Sequence, residues 1–158
     1  MKQFIQLMVN GDPYEIMVKP SDTLLNVLRE KLGFTGAKRG CDSGKCGSCT
    51  VLLDGKPIRA CITLAISLRE RNIMTIEGLA QNGELHPLQK AFIEHGAVQC
   101  GFCTPGMILF AKYFLEENPN PTEDETRKAL SANICRCTGY IKIIEAIQAA
   151  AKVVGKTA

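Results

Sequence analysis

Eight cysteines are the chemistry-bearing residues of this 158-residue chain: Cys41, Cys46, Cys49, Cys61, Cys100, Cys103, Cys135 and Cys137. Thiolates are soft metal ligands, and eight divide evenly into two four-ligand sites. The first group runs Cys41-x4-Cys46-x2-Cys49, with eleven residues before Cys61. Its first three members have the plant-type 2Fe-2S spacing. Three ligands on one tight loop must wrap a compact cluster, and Gly40, Gly44 and Gly47 allow positive φ and close backbone approach. Loop amides would then face the sulfurs and tune the reduction potential. Lys38, Arg39 and Lys45 would offset the negative charge of a four-thiolate cluster. Structural zinc is the competing reading. It favours C-x2–4-C knuckles in two separated pairs, which three cysteines in nine residues fit poorly. A set of inert core cysteines fits less well still, because the loop is polar and Gly-rich.

The second group is Cys100-x2-Cys103, then 31 residues, then Cys135-x-Cys137. Its spacing alone leaves zinc and iron open. Its placement says more. Cys100 and Cys103 directly precede a helix that Thr104-Pro105 should open, with Thr104 as cap. Cys135 and Cys137 directly precede one that Thr138 or Gly139 should open. Helix N-termini carry free N–H groups and partial positive charge, so two of them converging would stabilise an anionic cluster. The two histidines read otherwise. His86 precedes Pro87 and caps or solvates a helix start, and His95 suits a helix C-terminus. Arg136, between two candidate ligands, reads as charge compensation.

The elements that must position these groups fall into two halves. Residues 2–9, 14–18, 49–53, 58–63 and 73–76 read as strands, with hairpin turns at Asn10-Gly11-Asp12-Pro13 and Asp54-Gly55. Ser21 or Asp22 should cap a helix to about residue 32, burying Leu24, Leu25 and Leu28. From about residue 78 the chain is helical: 87–95, 104–117, a third helix from the Thr122/Glu125 capping box to about 132, and a fourth to about 153. Met107, Ile108 and residues 110–114 read as core or subunit interface, and Lys142, Lys152 and Lys156 as a solvated face. Halves of this size bury little apolar surface and usually need a staple such as a metal. Each half holds four cysteines.

Hydrophobic residues make up 46% and charged residues 22%, the balance of a globular chain. No apolar run approaches the ~20 residues of a membrane span. Met1-Lys2-Gln3-Phe4 shows neither a signal peptide nor a twin-arginine pair, which predicts a cytoplasmic protein with reduced thiols and argues against a disulfide framework. The net charge of +3 is interspersed, without the basic stripe of a nucleic-acid binder. There is no G-x-G-x-x-G, P-loop or G-x-S-x-G, so no nicotinamide, flavin or nucleophile site of its own is expected.

Three motifs carry a family resemblance. Cys-Asp-Ser-Gly-Lys-Cys-Gly-Ser-Cys-Thr (41–50), Val-Gln-Cys-Gly-Phe-Cys-Thr-Pro-Gly (98–106) and Asn-Ile-Cys-Arg-Cys-Thr-Gly-Tyr (133–140) resemble the small iron–sulfur subunit of the xanthine oxidase family of molybdenum hydroxylases. The resemblance covers essentially the whole chain. It implies an α+β chain: a plant-type ferredoxin-like β-grasp domain over 1–77 and a four-helix-bundle domain over 78–158, each holding one 2Fe-2S cluster on its four cysteines. It implies that catalysis lies on a large subunit carrying a molybdopterin cofactor. The helical-half cluster would lie nearer that cofactor, with Gln99 hydrogen-bonding the pterin and Cys137 serving as both iron ligand and electron exit from the pterin. A medium subunit carrying FAD would take the electrons onward, in a hetero-oligomer for which a dimer of heterotrimers is one form. The expected function is electron transfer, with no catalytic residue on this chain. The alternatives are a free-standing ferredoxin-like carrier, against which the helical half argues, and a zinc-stabilised interaction module. The substrate is not named by the sequence.

Overall fold

The computed structural model describes residues 2–154. Strict alternation makes β1 (Gln3–Val9) amphipathic. Ile5, Leu7 and Val9 point into the core, and Phe4 and Gln6 point away. Asn10 and Gly11 both take positive φ, 54° and 90°, which gives the two-residue hairpin turn whose twist matches its strands. The chain returns as β2 (Asp12–Val18), antiparallel to β1 from Gln3↔Val18 to Val9↔Asp12. Pro13 is tolerated because β2 is a sheet edge. A second hairpin joins β3 (Thr50–Leu53) to β4 (Lys56–Arg59), and β5 (Asn72–Met74) lies between β1 and β3. The order is β2-β1-β5-β3-β4, with β1 and β5 parallel and the other pairs antiparallel.

Between the hairpins, α1 (Leu24–Asn26) runs into a π-helical turn, Val27–Lys31, and buries Leu24, Leu25, Val27 and Leu28 against the sheet. Its cap corrects the sequence expectation. Thr23, not Ser21 or Asp22, accepts from the Asn26 N–H, at 3.3 Å. Asp22 instead accepts from Lys19 N at 3.0 Å and Lys31 Nζ at 2.6 Å. The strand limits also move. β3 starts after Cys49, and β4 ends at Arg59, so Cys61 sits on a turn beyond it. β5 lies one to two residues earlier than expected.

The second half holds α2 (Pro87–Glu94), α3 (Thr104–Glu117), α4 (Glu123–Ala129) and α5 (Ile141–Val154). His86 caps α2: its Nδ1 accepts from Leu88 N at 3.2 Å while Gln89 Oε1 accepts from His86 N at 2.9 Å. α4 has the expected box of Thr122 and Glu125 and continues as a 3-10 turn, Leu130–Ala132. Two starts differ from expectation. Cys103, not Thr104, is the N-cap residue of α3, without a side-chain cap bond. α5 begins at Ile141, because Gly139 and Tyr140 both take positive φ, 65° and 68°, and Thr138 turns its hydroxyl to Cys135. Lys142 is exposed and pairs with Glu145, and Lys152 is exposed; Lys156 lies outside the described residues.

Two apolar cores result, one under the sheet and one among the helices, and β3 belongs to both. Val51 points into the first and Leu52 into the second, where α3 packs across the strand. Thr50, Val51 and Leu52 are buried in succession because both faces of this strand are covered. Among the described residues no helix is long and apolar enough to cross a membrane.

The Thr122/Glu125 box is exposed and makes no contact with either candidate site, so it isolates helix energetics. Thr122→Ala should cost about 1 kcal/mol of stability, read as a lowered denaturation midpoint with iron content unchanged.

Candidate metal centres

The first quartet is built by the loop between α1 and β3 together with the turn after β4. Lys38 N donates to Ser48 O at 2.9 Å and closes the loop on itself. Cys41 sits at the exposed tip, where Ser43 N and Cys46 N both point at its sulfur, each at 3.4 Å. Cys49 and Cys61 lie inside, next to each other. Gly40 is required by space: a Cβ there would come within 2.7 Å of Cys46 Sγ. Two of the three nearby basic residues are already engaged, while Lys45 is exposed. Arg39 makes two 2.9 Å bonds to Asp42 and reaches Asn26, so Asp42 is the main cause of its raised pKa and the Cys61 sulfur a lesser one. Lys38 donates to Thr35 O at 2.5 Å.

The second quartet lies between the start of α3 and the segment before α5. Cys103 and Cys135 are buried together, while Cys100 and Cys137 are exposed with their sulfurs 3.4 Å apart. Thr138 donates to Cys135 Sγ through both N, at 3.4 Å, and Oγ1, at 3.0 Å. The Cys135 N–H donates to Tyr140 Oη at 2.9 Å, which uses the phenol to hold the loop. So one helix N-terminus, that of α3, meets this quartet directly. The other side is a hydrogen-bonded loop, not the second helix start that the sequence suggested. Gln99 and Arg136 are exposed beside it, and both histidines lie in helix caps, outside either quartet.

Within each quartet, thiols are shifted in opposite directions. Hydrogen bonds from Ser43 and Cys46 bring Cys41 down to about 6. Desolvation pushes Cys49 up to about 11 and Cys103 up to about 12. At Cys135 burial acts upward but is outweighed by the Thr138 donors, so the thiol is held below its usual value. The Phe102 backbone lowers Cys100, and the Cys100 contact raises Cys137. Among the described residues, no three His, Cys, Asp or Glu side chains are arranged to hold a single metal ion. Four thiols set as two pairs, ringed by N–H donors, suit a two-iron cluster, whose anionic sulfur such donors stabilise.

Residues 7–72 match the family of 2Fe-2S iron-sulfur cluster binding domains, and residues 75–148 the [2Fe-2S] binding domain family. The nicotinate dehydrogenase small FeS subunit of Eubacterium barkeri is 50% identical over 144 residues, 91% of this chain and 92% of that protein. The chain belongs to the small iron–sulfur subunits of the molybdenum hydroxylase family. This small subunit is 48% identical to the nicotine 6-hydroxylase small subunit of Paenarthrobacter nicotinovorans, covering 90% of this chain and 86% of that one. It superposes on quinoline 2-oxidoreductase from Pseudomonas putida 86 with a TM-score of 0.94 at 47% identity, over 98% of this chain and 97% of that one. It also superposes on the aldehyde oxidoreductase of Desulfovibrio desulfuricans with a TM-score of 0.92 at 44% identity, over 98% of this chain but 17% of that one. Two 2Fe-2S domains decide between iron and zinc, and near-full-length matches to small subunits decide against a free-standing carrier. The small subunit is an electron-transfer component of an oxidoreductase complex.

Two outcomes follow from the thiol environments. Gly40→Ala should lower the iron held at the first quartet while keeping that of the second, because the added Cβ would meet the Cys46 sulfur at 2.7 Å; iron and acid-labile sulfide counts measure this. Reloading the apo chain with iron and sulfide should release protons from the high-pKa thiols Cys49 and Cys103. Uptake should therefore weaken as pH falls from about 9 to about 6, whereas uptake that is level with pH would mean these thiols are already ionised.

Proposed function

We propose that this small subunit passes single electrons from a molybdopterin centre on a large partner subunit, through two 2Fe-2S sites, to a flavin-bearing medium subunit. Cys41, Cys46, Cys49 and Cys61 hold one cluster in a domain over 1–77. Cys100, Cys103, Cys135 and Cys137 hold the other in a four-helix-bundle domain over 78–158. The clusters supply reversible one-electron storage when bound. The cysteines contribute the binding, with Cys49, Cys61, Cys103 and Cys135 shielding the inner side of each site from water.

The observation that carries this reading is the surface around the second quartet. Val98, Phe102 and Ile134 are exposed large apolar residues that neighbour, along the chain, exposed Gln99, Cys100 and Cys137, and the Cys100 and Cys137 sulfurs lie 3.4 Å apart. Apolar side chains gathered at one place on a surface mark an interaction site. A large molybdopterin subunit covering it would bury this rim. Gln99 would then offer its amide to the pterin, and Cys137 would be the sulfur nearest the partner while ligating iron. At the first quartet, exposed Cys41 shares its loop with Gly44, against which exposed Ile62 lies, and this forms a second rim for the electron acceptor. Nicotinate, nicotine, quinoline and aldehyde enzymes all stand among the relatives. No residue of this chain reaches a substrate in this reading, so the reading extends to the reaction type alone, carried out in the cytoplasm by a hetero-oligomer such as a dimer of heterotrimers.

The test is anaerobic purification from native cells, reduction with dithionite and low-temperature EPR. Two distinct spin systems should appear, with iron and sulfide matching two 2Fe-2S clusters, and molybdenum and flavin in the same fraction. Substrate oxidation by the isolated small subunit would overturn the reading.

A further inference from the structure

The two quartets meet across a seam of backbone groups. Ile134 N donates to Cys46 O at 2.8 Å, and Ile134 is followed directly by Cys135. Asn133 Nδ2 donates to Gly47 O at 3.0 Å. The Arg59 guanidinium donates to the Ala132 carbonyl and, at 2.6 Å, to Thr50 Oγ1. Gly106 of α3 presents its bare Cα to the Gly47 carbonyl, into which a Cβ would be driven. Gly47 has the reciprocal constraint: its φ is 78°, and a Cβ there would lie 2.6 Å from Asn133 Nδ2 and 2.7 Å from Ala132 O.

Asn133 stands out within this seam. Its side chain is buried, and its Oδ1 is the one buried side-chain nitrogen or oxygen among the described residues without a hydrogen-bond partner. A buried unpartnered carbonyl is a standing penalty that an apolar side chain of similar size would avoid. What a leucine could not do is grip the Gly47 carbonyl. Each half has its own core, so neither core alone sets the distance between the two quartets. The shared apolar contact at Leu52 tolerates small sliding, whereas hydrogen bonds to Cys46 and Gly47 fix both distance and direction.

We propose that Asn133, with Gly47 and Gly106, is a positioning device that sets the separation and relative orientation of the two clusters, and through them the rate of electron exchange between them. Asn133 and Gly106 do so without ligating either cluster. The inference rests on the reading that the two quartets hold two clusters. Exchange between buried centres falls steeply with distance, so a seam that yields slightly slows it while leaving each centre intact.

The test uses the assembled complex carrying Asn133→Leu or Gly106→Ala, reduced with dithionite. In the wild type, two spin systems should split one another through space. In Asn133→Leu, iron, sulfide, the g-values of each centre and both midpoint potentials should stay as in the wild type; Gly106→Ala, whose Cβ is driven onto the Gly47 carbonyl, should keep iron and sulfide. The mutual splitting should change, and electron exchange between the centres after a rapid reducing pulse should slow severalfold. Unchanged splitting and rate in a fully loaded variant would overturn the proposal. If one variant loses iron, the other decides. Loss in both would also overturn it, because the seam would then serve cluster retention. A wild type without two spin systems would overturn the underlying two-cluster reading instead.

Discussion

Ionised sulfurs repel one another, and this chain must gather four of them twice. The rest of the structure follows from how that repulsion is managed. In each quartet two thiols are buried, Cys49 with Cys61 and Cys103 with Cys135, while Cys41, Cys100 and Cys137 are exposed. The buried sulfurs of Cys49 and Cys103 are held in the protonated form by desolvation. The exposed thiols Cys41 and Cys100 are stabilised as anions by hydrogen bonds from neighbouring backbone, most clearly at Cys41. Each apo quartet is therefore a set of partly neutral sulfurs, and the fold can form around it without confronting four charges at once.

The two quartets reach the same result by different local means. A glycine-lined loop closed on a sheet supplies the first. A helix start and the Thr138–Tyr140 loop supply the second. Tyr140 pairs left-handed backbone with a phenol that accepts from Cys135, so the strain of one torsion is offset by a bond that closes the ligand loop.

Two small cores are made into one body by β3 and by the seam beside it. Val51 and Leu52 face opposite ways into different cores, a direct use of the two-residue period of a strand. Glycines at 47 and 106 let backbone meet backbone where side chains would hold the halves apart. Cys41, Cys100 and Cys137 are left at the surface. A subunit whose task is to receive and hand on electrons must keep its redox centres joined to each other inside and reachable from outside, and this arrangement does both.

The amino-acid sequence by itself determined the cysteine count and spacing, and with the three motifs the family. It also determined the first hairpin, the Thr122/Glu125 box, the His86 cap and the buried leucines of the first helix. These depend on residues close together in the chain, where turn chemistry and periodicity are readable. Tertiary structure alone decided the rest. Asp22 was a plausible cap on local grounds, but Lys31, brought close by the fold, takes its carboxylate and leaves the cap to Thr23. Thr138 looked like a helix start until Cys135 offered its sulfur as acceptor. Asn133 and Gly106 stood in the motifs, but their contacts and those of Arg59 were not readable, since their partners lie 86, 59 and 73 residues away, and only folding brings them together.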